Sequence, residues 1–157
     1  MAVERTPNGT YGTAIPKLPR PLVNVFTTLN VGFFRWFGAR MRVQGLPLLL
    51  LTTVGARSGQ RRQTVLGGFD QGDGTWLIVA SAAGSAKHPA WYHNLVKHPD
   101  DVTMETGGRT TRARVESLRG AEYAEAWRPV VARAPGYASY RQKTDRTIPI
   151  VRLSPLP

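Results

Sequence analysis

Leu46-Pro47-Leu48-Leu49-Leu50-Leu51-Thr52-Thr53-Val54 is a continuous apolar run of strand length, closed by Gly55. A run this short, with no polar face, reads as a strand buried on both sides. The residues after it repeat the signal. Arg62 to Phe69 is a second strand, Asp70-Gln71-Gly72-Asp73-Gly74 a hairpin turn, and Thr75 to Ser81 a third strand with Trp76, Ile78 and Ala80 on one face. Asp101 to Thr106 and Arg109 to Leu118 alternate around Gly107-Gly108, and Thr147 to Leu153 gives a last strand. Between the third and fourth strands lies a short helix over Pro89 to Lys97, ended by His98-Pro99. Ala121 to Ala134 is helical with a disturbance at Pro129, and Tyr137 to Lys143 forms a short helix. A meander of short antiparallel strands with helices outside predicts an α+β fold built on a small barrel, because closure removes exposed strand edges.

Working toward the N-terminus, Pro7, Gly9, Gly12, Pro16, Pro19 and Pro21 make residues 1–21 a flexible arm, and residues 22–157 a single domain. Leu22 to Met41 carries Leu22, Val25, Phe26, Leu29, Phe33, Trp36 and Phe37 at helical spacing, with Pro21 suited to the first turn. Asn24, Asn30 and Arg35 interrupt it, so it falls short of the roughly 20 apolar residues that span a bilayer. Two readings stay open for this helix. It packs Phe26, Phe33, Trp36 and Phe37 on the barrel, or it rests on anionic lipid through the flanking Lys17, Arg20, Arg35, Arg40 and Arg42.

The formal charge of +11 calls for an acidic partner. Its distribution is uneven: after Glu4 the next acid is Asp70, and every charged residue between Arg5 and Arg62 is basic. Nucleic acid is disfavoured, since neither a base-stacking aromatic stripe nor a recognition-helix motif is present. With no cysteine, disulfides, thiolate metal sites and a cysteine nucleophile are excluded. Met1 to Tyr11 is polar and lacks the apolar stretch of a signal peptide, so the chain reads as cytoplasmic.

Self-contained catalytic machinery is missing. His88, His93 and His98 are spaced by five and share no helical face, so no metal site is expected. Ser58 lies in Gly-x-x-Ser-Gly rather than in a nucleophile elbow. Asp100 and Asp101 diverge on a strand, and Glu122 and Glu125 form a solvated face. The absence of a strand–Gly-x-Gly-x-x-Gly–helix unit argues against a nicotinamide site. Chemistry borrowed from another cofactor is the consistent alternative. Two segments suit one. Gly55 to Thr64 offers flexible backbone N–H groups, the Ser58 hydroxyl and the cations Arg57, Arg61 and Arg62, as a phosphate requires. Ala80-Ser81 and Lys87 to Asn94 offer flat aromatics and hydrogen-bonding groups for a planar ring.

Gly55-Ala56-Arg57-Ser58-Gly59-Gln60-Arg61-Arg62-Gln63-Thr64 resembles the Gly-x-(Lys/Arg)-Ser-Gly-x-x-Arg-x-Thr element of the deazaflavin-dependent nitroreductase family. Val79-Ala80-Ser81 with His88-Pro89-Ala90-Trp91-Tyr92-His93-Asn94-Leu95 resembles its second signature. Ala134-Pro135-Gly136-Tyr137-Ala138-Ser139-Tyr140, continuing through Thr144-Asp145-Arg146-Thr147-Ile148-Pro149-Ile150-Val151, gives a third match in the same order.

The resemblance implies a split β-barrel and a reductase that passes a hydride from reduced coenzyme F-420 to an electron-poor acceptor such as a quinone, nitro compound or conjugated carbonyl. It implies the coenzyme phosphate near Arg57, Ser58, Gly59 and Arg62, with Gln63 alongside. The deazaflavin ring is expected against the backbone of Thr64, Val65, Leu66, Gly67 and Gly68, and near Val79, Ala80, Ser81 and Ala82. Ala90, Trp91, Tyr92, His93 and Asn94 are expected to add contacts. Tyr137 and Tyr140 would line the acceptor's side, with Ser81 or Tyr137 as hydrogen-bond or proton donor. The anionic coenzyme would account for the basic charge. A barrel binding riboflavin phosphate, or a non-catalytic carrier, is the alternative. Val65 stands where the family often has proline, His93 where leucine is usual, and Ala134 where an aromatic is common. The last of these would reshape the acceptor pocket.

Overall fold

The computed structural model describes residues 3–38 and 40–157, and the side chains of Asn24, Phe26 and Thr27 lie outside the described set. The apolar run opens as expected into β2 (Leu46–Val54), buried along nearly its whole length. It is buried because it is paired on both edges, with β3 (Arg61–Gly67) and β6 (Thr103–Thr106). Alternate residues then serve opposite faces. Leu49 and Leu51 enter the barrel interior, while Leu48 and Leu50 face outward.

The other strands are β1 (Arg42–Val43), β4 (Phe69–Asp70), β5 (Trp76–Val79), β7 (Arg109–Ser117) and β8 (Ile150–Pro155). They follow the order β1-β2-β6-β7-β8-β5-β4, with β3 branching from β2, and every pairing is antiparallel. β7 joins the two halves: Arg109 to Arg112 pair with β6, and Ala113 to Ser117 with β8. Consecutive glycines at positive φ, Gly107 at 55° and Gly108 at 77°, form the tight β6–β7 turn.

The circuit closes because β3 and β4 are consecutive in the chain, separated only by Gly68. β3 pairs with β2 and β4 with β5, so one bent strand bridges both halves. A side chain cannot stand at the bend. A β-carbon on Gly68 would meet Leu49 Cδ2 at 2.7 Å and Trp76 Cε3 at 2.8 Å.

The interior is filled by Leu49, Leu51, Ile78, Val115, Val151 and Leu153, and by Trp91, Tyr92 and Leu95 of α2 (Ala90–Lys97). A second cluster around Leu77, Val79, Trp127, Val130 and Ile150 lies on the opposite face of β5. α3 (Gly120–Arg133), which continues through Pro129, and α4 (Gly136–Gln142) cover that face. Segment 3–19 has no helix or strand but is tied to the barrel. Val3 is buried in the interior cluster, Gly9 N–H donates to Ala86 O at 2.8 Å, and Thr13 N–H donates to Gly84 O at 2.9 Å.

Helix α1 (Arg20–Phe37) begins with Pro21 in its first turn. It touches the barrel through a narrow strip, Val31 and Phe34 against Leu48, Leu50 and Val65. The expected packing of Phe33, Trp36 and Phe37 on the barrel is corrected: they are 50%, 83% and 48% exposed. The cause is geometric. At 3.6 residues per turn, positions 33 and 36 point about 200° away from 31 and 34 respectively. Phe26, the fourth residue of that expectation, is among the side chains outside the described set. Among the described residues no helix is long and apolar enough to cross a membrane.

Candidate active site

The loop between β2 and β3 is a tight basic turn. Gly55 N–H donates to Gln60 O at 2.7 Å and Gly59 N–H donates to Gly55 O at 2.9 Å. Ser58 Oγ accepts from Gln60 N–H at 3.2 Å. Arg57, Ser58, Gly59, Arg61 and Arg62 are exposed, and among the described residues none of the three arginines is in an ion pair. Their charge is therefore available to an anion. Asn94, reaching up from α2, accepts Ala56 N–H at 2.9 Å and so fixes the loop from below. His93 is exposed beside this end. Partial desolvation by its neighbours, then the positive charges of Arg5 and Arg57, hold its pKa below the ordinary 6.5.

β3 leads from this turn to the other end of the site. Its seven residues cover about 20 Å. Among the described residues it is paired on one edge only, with β2, which leaves alternate N–H and C=O groups of the opposite edge without a ladder partner there. β5 is similar past Leu77, where Ile78 and Val79 pair with β8 alone. The barrel is thus split between β3 and β5, starting at the Gly68 bend. The strand segments expected to contact the ring, Thr64 to Gly68 and Val79 to Ala82, lie on the two sides of the split.

At the ring side, β5 passes into a 3-10 turn, Ala82–Gly84. Ala82 and Ala83 are both left-handed, with φ of 43° and 52°. Such values are strained for residues with a β-carbon. α4 packs directly on the turn: a β-carbon at Gly84 would lie 2.9 Å from Lys143 Cβ and 3.0 Å from Tyr140 O. The Tyr137 ring stands edge-on to Phe69 at 5.9 Å and to Tyr140 at 5.5 Å. Burial, with a smaller contribution from Tyr140, raises the Tyr137 pKa above its ordinary 10.0. Its hydroxyl therefore stays a protonated donor throughout the neutral range. Tyr140 Oη accepts from Gln44 Nε2 at 2.9 Å, which fixes the second ring.

Not every expected side chain faces the split. Tyr92 is fully buried, and its hydroxyl is committed to Glu4 O and to Thr6 Oγ1. Trp91, Val79 and Ala80 are core residues, and Asn94 faces Thr53 and Ala56 from beneath the loop. Arg57, Ser58, Gly59, Arg62, Ala90 and His93 are exposed, with Gln63 to Gly67, Ala82, Tyr137 and Tyr140 partly so. Ser81 sits at the end of β5 with its side chain mostly buried. Three supporting residues escaped sequence reasoning: Gln44, Thr53 and Arg146. Only Arg146 lay within a matched motif, and nothing in its neighbours signals a buried cation.

The arrangement suits an elongated ligand with an anionic end at 57–62 and a flat end between Gly67 and Tyr137. The pattern described as F420H(2)-dependent quinone reductase matches residues 28–155. The chain is 38% identical over 117 residues to an F420H(2)-dependent quinone reductase of Mycobacterium tuberculosis, covering 72% of this chain and 77% of the relative. Among solved structures it is similar to an F420-H2-dependent reductase, FDR-A, at 36% identity and a TM-score of 0.61, covering 69% of this chain and 94% of that one. It is also similar to a chain described as a domain-swapped dimer, at 31% identity and a TM-score of 0.63, covering 85% and 99%. With the family pattern matching residues 28–155 and the Mycobacterium tuberculosis relative sharing more than a third of the aligned sequence, the chain belongs to the F420H(2)-dependent quinone reductase family.

Proposed function

We propose that this reductase delivers its hydride to a quinone, with the coenzyme lying along β3. The open edge of β3, running from the unpaired arginines to Tyr137, is the observation that carries the reading. Arg57, Arg62 and Ser58 hold the phosphate through charge-assisted hydrogen bonds, and Asn94 keeps their loop from relaxing. The β3 backbone and the Val79 to Ala82 segment would hold the ring. Reduced F-420, when bound, supplies a hydride from the ring carbon that replaces the flavin N5. Tyr137, protonated throughout the neutral range with its pKa raised further by burial, would donate a hydrogen bond to the oxygen on which negative charge develops. Phe69 and Tyr140 fix the angle of that phenol, and Ser81 is the second donor of this site.

The exposed face of α1 adds a location. Leu29, Phe33 and Trp36 with the flanking Lys17, Arg20, Arg40 and Arg42 suit an anionic lipid surface, where a hydrophobic quinone is dissolved. The test of the central reading is a fluorescence titration with oxidised F-420 and with riboflavin phosphate, followed by turnover of a soluble naphthoquinone. Preferential F-420 binding with quinone reduction is expected. Equal or tighter binding of riboflavin phosphate overturns the coenzyme assignment, and F-420 binding without quinone turnover overturns the acceptor.

A further inference from the structure

Arg146 is 7% exposed and has no carboxylate partner among the described residues. Its guanidinium is satisfied by neutral acceptors. Nε donates to Ser85 O at 2.7 Å, Nη2 to Ser81 O at 2.7 Å, and Nη1 to Ala80 O at 3.0 Å. Nη1 also reaches His88 Nδ1 at 3.2 Å and, at 3.4 Å, Thr147 O. An unpaired buried cation is expensive, and a core position filled for stability alone takes an apolar residue more readily. What this cation does is specific. It gathers the carbonyls on both sides of Ala82 and Ala83, the two left-handed alanines of the 3-10 turn.

We propose that Arg146 is the positioning residue of the hydride-transfer site, holding the strained Ser81–Ser85 turn in the shape against which the coenzyme ring rests. The inference rests on the coenzyme reading above. Only a planar fork with five N–H groups reaches several divergent acceptors from one side; a lysine ammonium, compact and with three donors, does not. His88 extends the same unit. With Nδ1 turned to Arg146 it presents Nε2–H to Pro7 O at 3.0 Å. Next in sequence, Asp145 takes the Thr10 N–H at 2.8 Å. Two consecutive residues of one loop therefore secure the N-terminal segment on one side and the ring-side turn on the other.

The test compares full-length wild type, Arg146→Lys, Arg146→Ala and the double variant Arg57→Ala/Arg62→Ala. Two probes are titrated: F-420, and the deazaflavin riboside that lacks phosphate and tail. Arg146→Lys is expected to fold by circular dichroism and to lose at least tenfold affinity for both probes. The loop double variant should lose affinity for F-420 alone. Adding Ala83→Gly, which relaxes a left-handed position, should restore part of what Arg146→Lys lost. Free guanidinium ion should do the same for Arg146→Ala. Wild-type affinity for both probes in folded Arg146→Lys overturns the proposal. So does failure of both Arg146 variants to fold, which would make the residue a core strut. Wild type that binds neither probe removes the coenzyme reading and this inference with it.

Discussion

Asn94 Nδ2 donates to Thr53 Oγ1 at 2.9 Å, joining α2 to the end of strand β2 within the core. The same amide accepts Ala56 N–H through its oxygen, so one side chain spans the strand and the loop that follows it. Asn94→Ala strands a buried hydroxyl and a backbone N–H. The expected loss is about 1–3 kcal/mol of stability, readable in urea denaturation, together with weaker F-420 binding as the loop loosens. Unchanged stability with unchanged affinity would show the contact to be dispensable.

Tyr137→Phe keeps the edge-on packing with Phe69 and removes the donor. Turnover is expected to fall by about 100-fold, the usual consequence of losing one donor to a developing oxyanion, with coenzyme affinity nearly intact. Steady-state kinetics at saturating F-420 is the measurement. If kcat stays at the wild-type level, the phenol lines the pocket only and Ser81→Ala becomes the decisive variant.

Stability should depend on pH through His88. Burial first, then the charge of Arg146 and of His93, holds its pKa below 6.5, against the pull of its hydrogen bonds to Pro7 and Thr6. The unfolded chain therefore binds more protons between the depressed folded value and 6.5, and stability rises with pH across that window. The contribution is complete above 6.5 and is lost as pH falls through the folded value. His93, also depressed, acts with the same sign, whereas Asp145 titrates only below 3.8. Melting curves at about pH 5 and about pH 8 should show the lower value in acid, and His88→Gln, which has no titration, should narrow the gap. An identical gap in the variant would place the effect elsewhere.

Helix α1 offers the most direct physical test. Each cation near an anionic bilayer adds about 1 kcal/mol, so the exposed apolar face with its flanking lysine and arginines should give salt-sensitive co-sedimentation with anionic vesicles. Leu29→Ser with Trp36→Ser should abolish it without changing the fold. No binding at low salt, together with concentration-dependent dimerisation in sedimentation velocity, would assign the face to a second copy instead.

The strands were legible because period-two and continuous apolar runs leave few alternatives, and glycine pairs marked the turns. The basic turn was legible because unpaired arginines beside Ser58 and Gly59 have few structural uses. Three things were not. The exposure of Phe33, Trp36 and Phe37 depends on how wide a strip the barrel presents to α1, which an amphipathic pattern does not encode. Trp91 and Tyr92 share a short helix with the exposed His93, and only the docking of that helix decides which side chains turn inward. Arg146 reads as a surface cation because its partners are carbonyls, which carry no signature in sequence.

The bend at Gly68 makes the split behave like a pair of tongs. β3 and β5 are the jaws, and the pivot is a residue whose missing side chain lets β2 and β5 close to contact through Leu49 and Trp76. A ring held near the pivot feels little of any opening. On the proposed placement, the phosphate would be held at the far end of β3 about 20 Å away, on the longest lever arm. A methyl group wedged at the pivot, as in Gly68→Ala, would therefore displace Arg57 and Arg62 most, and the proposed grip on the anionic end would then depend on packing in a part of the barrel those arginines never touch.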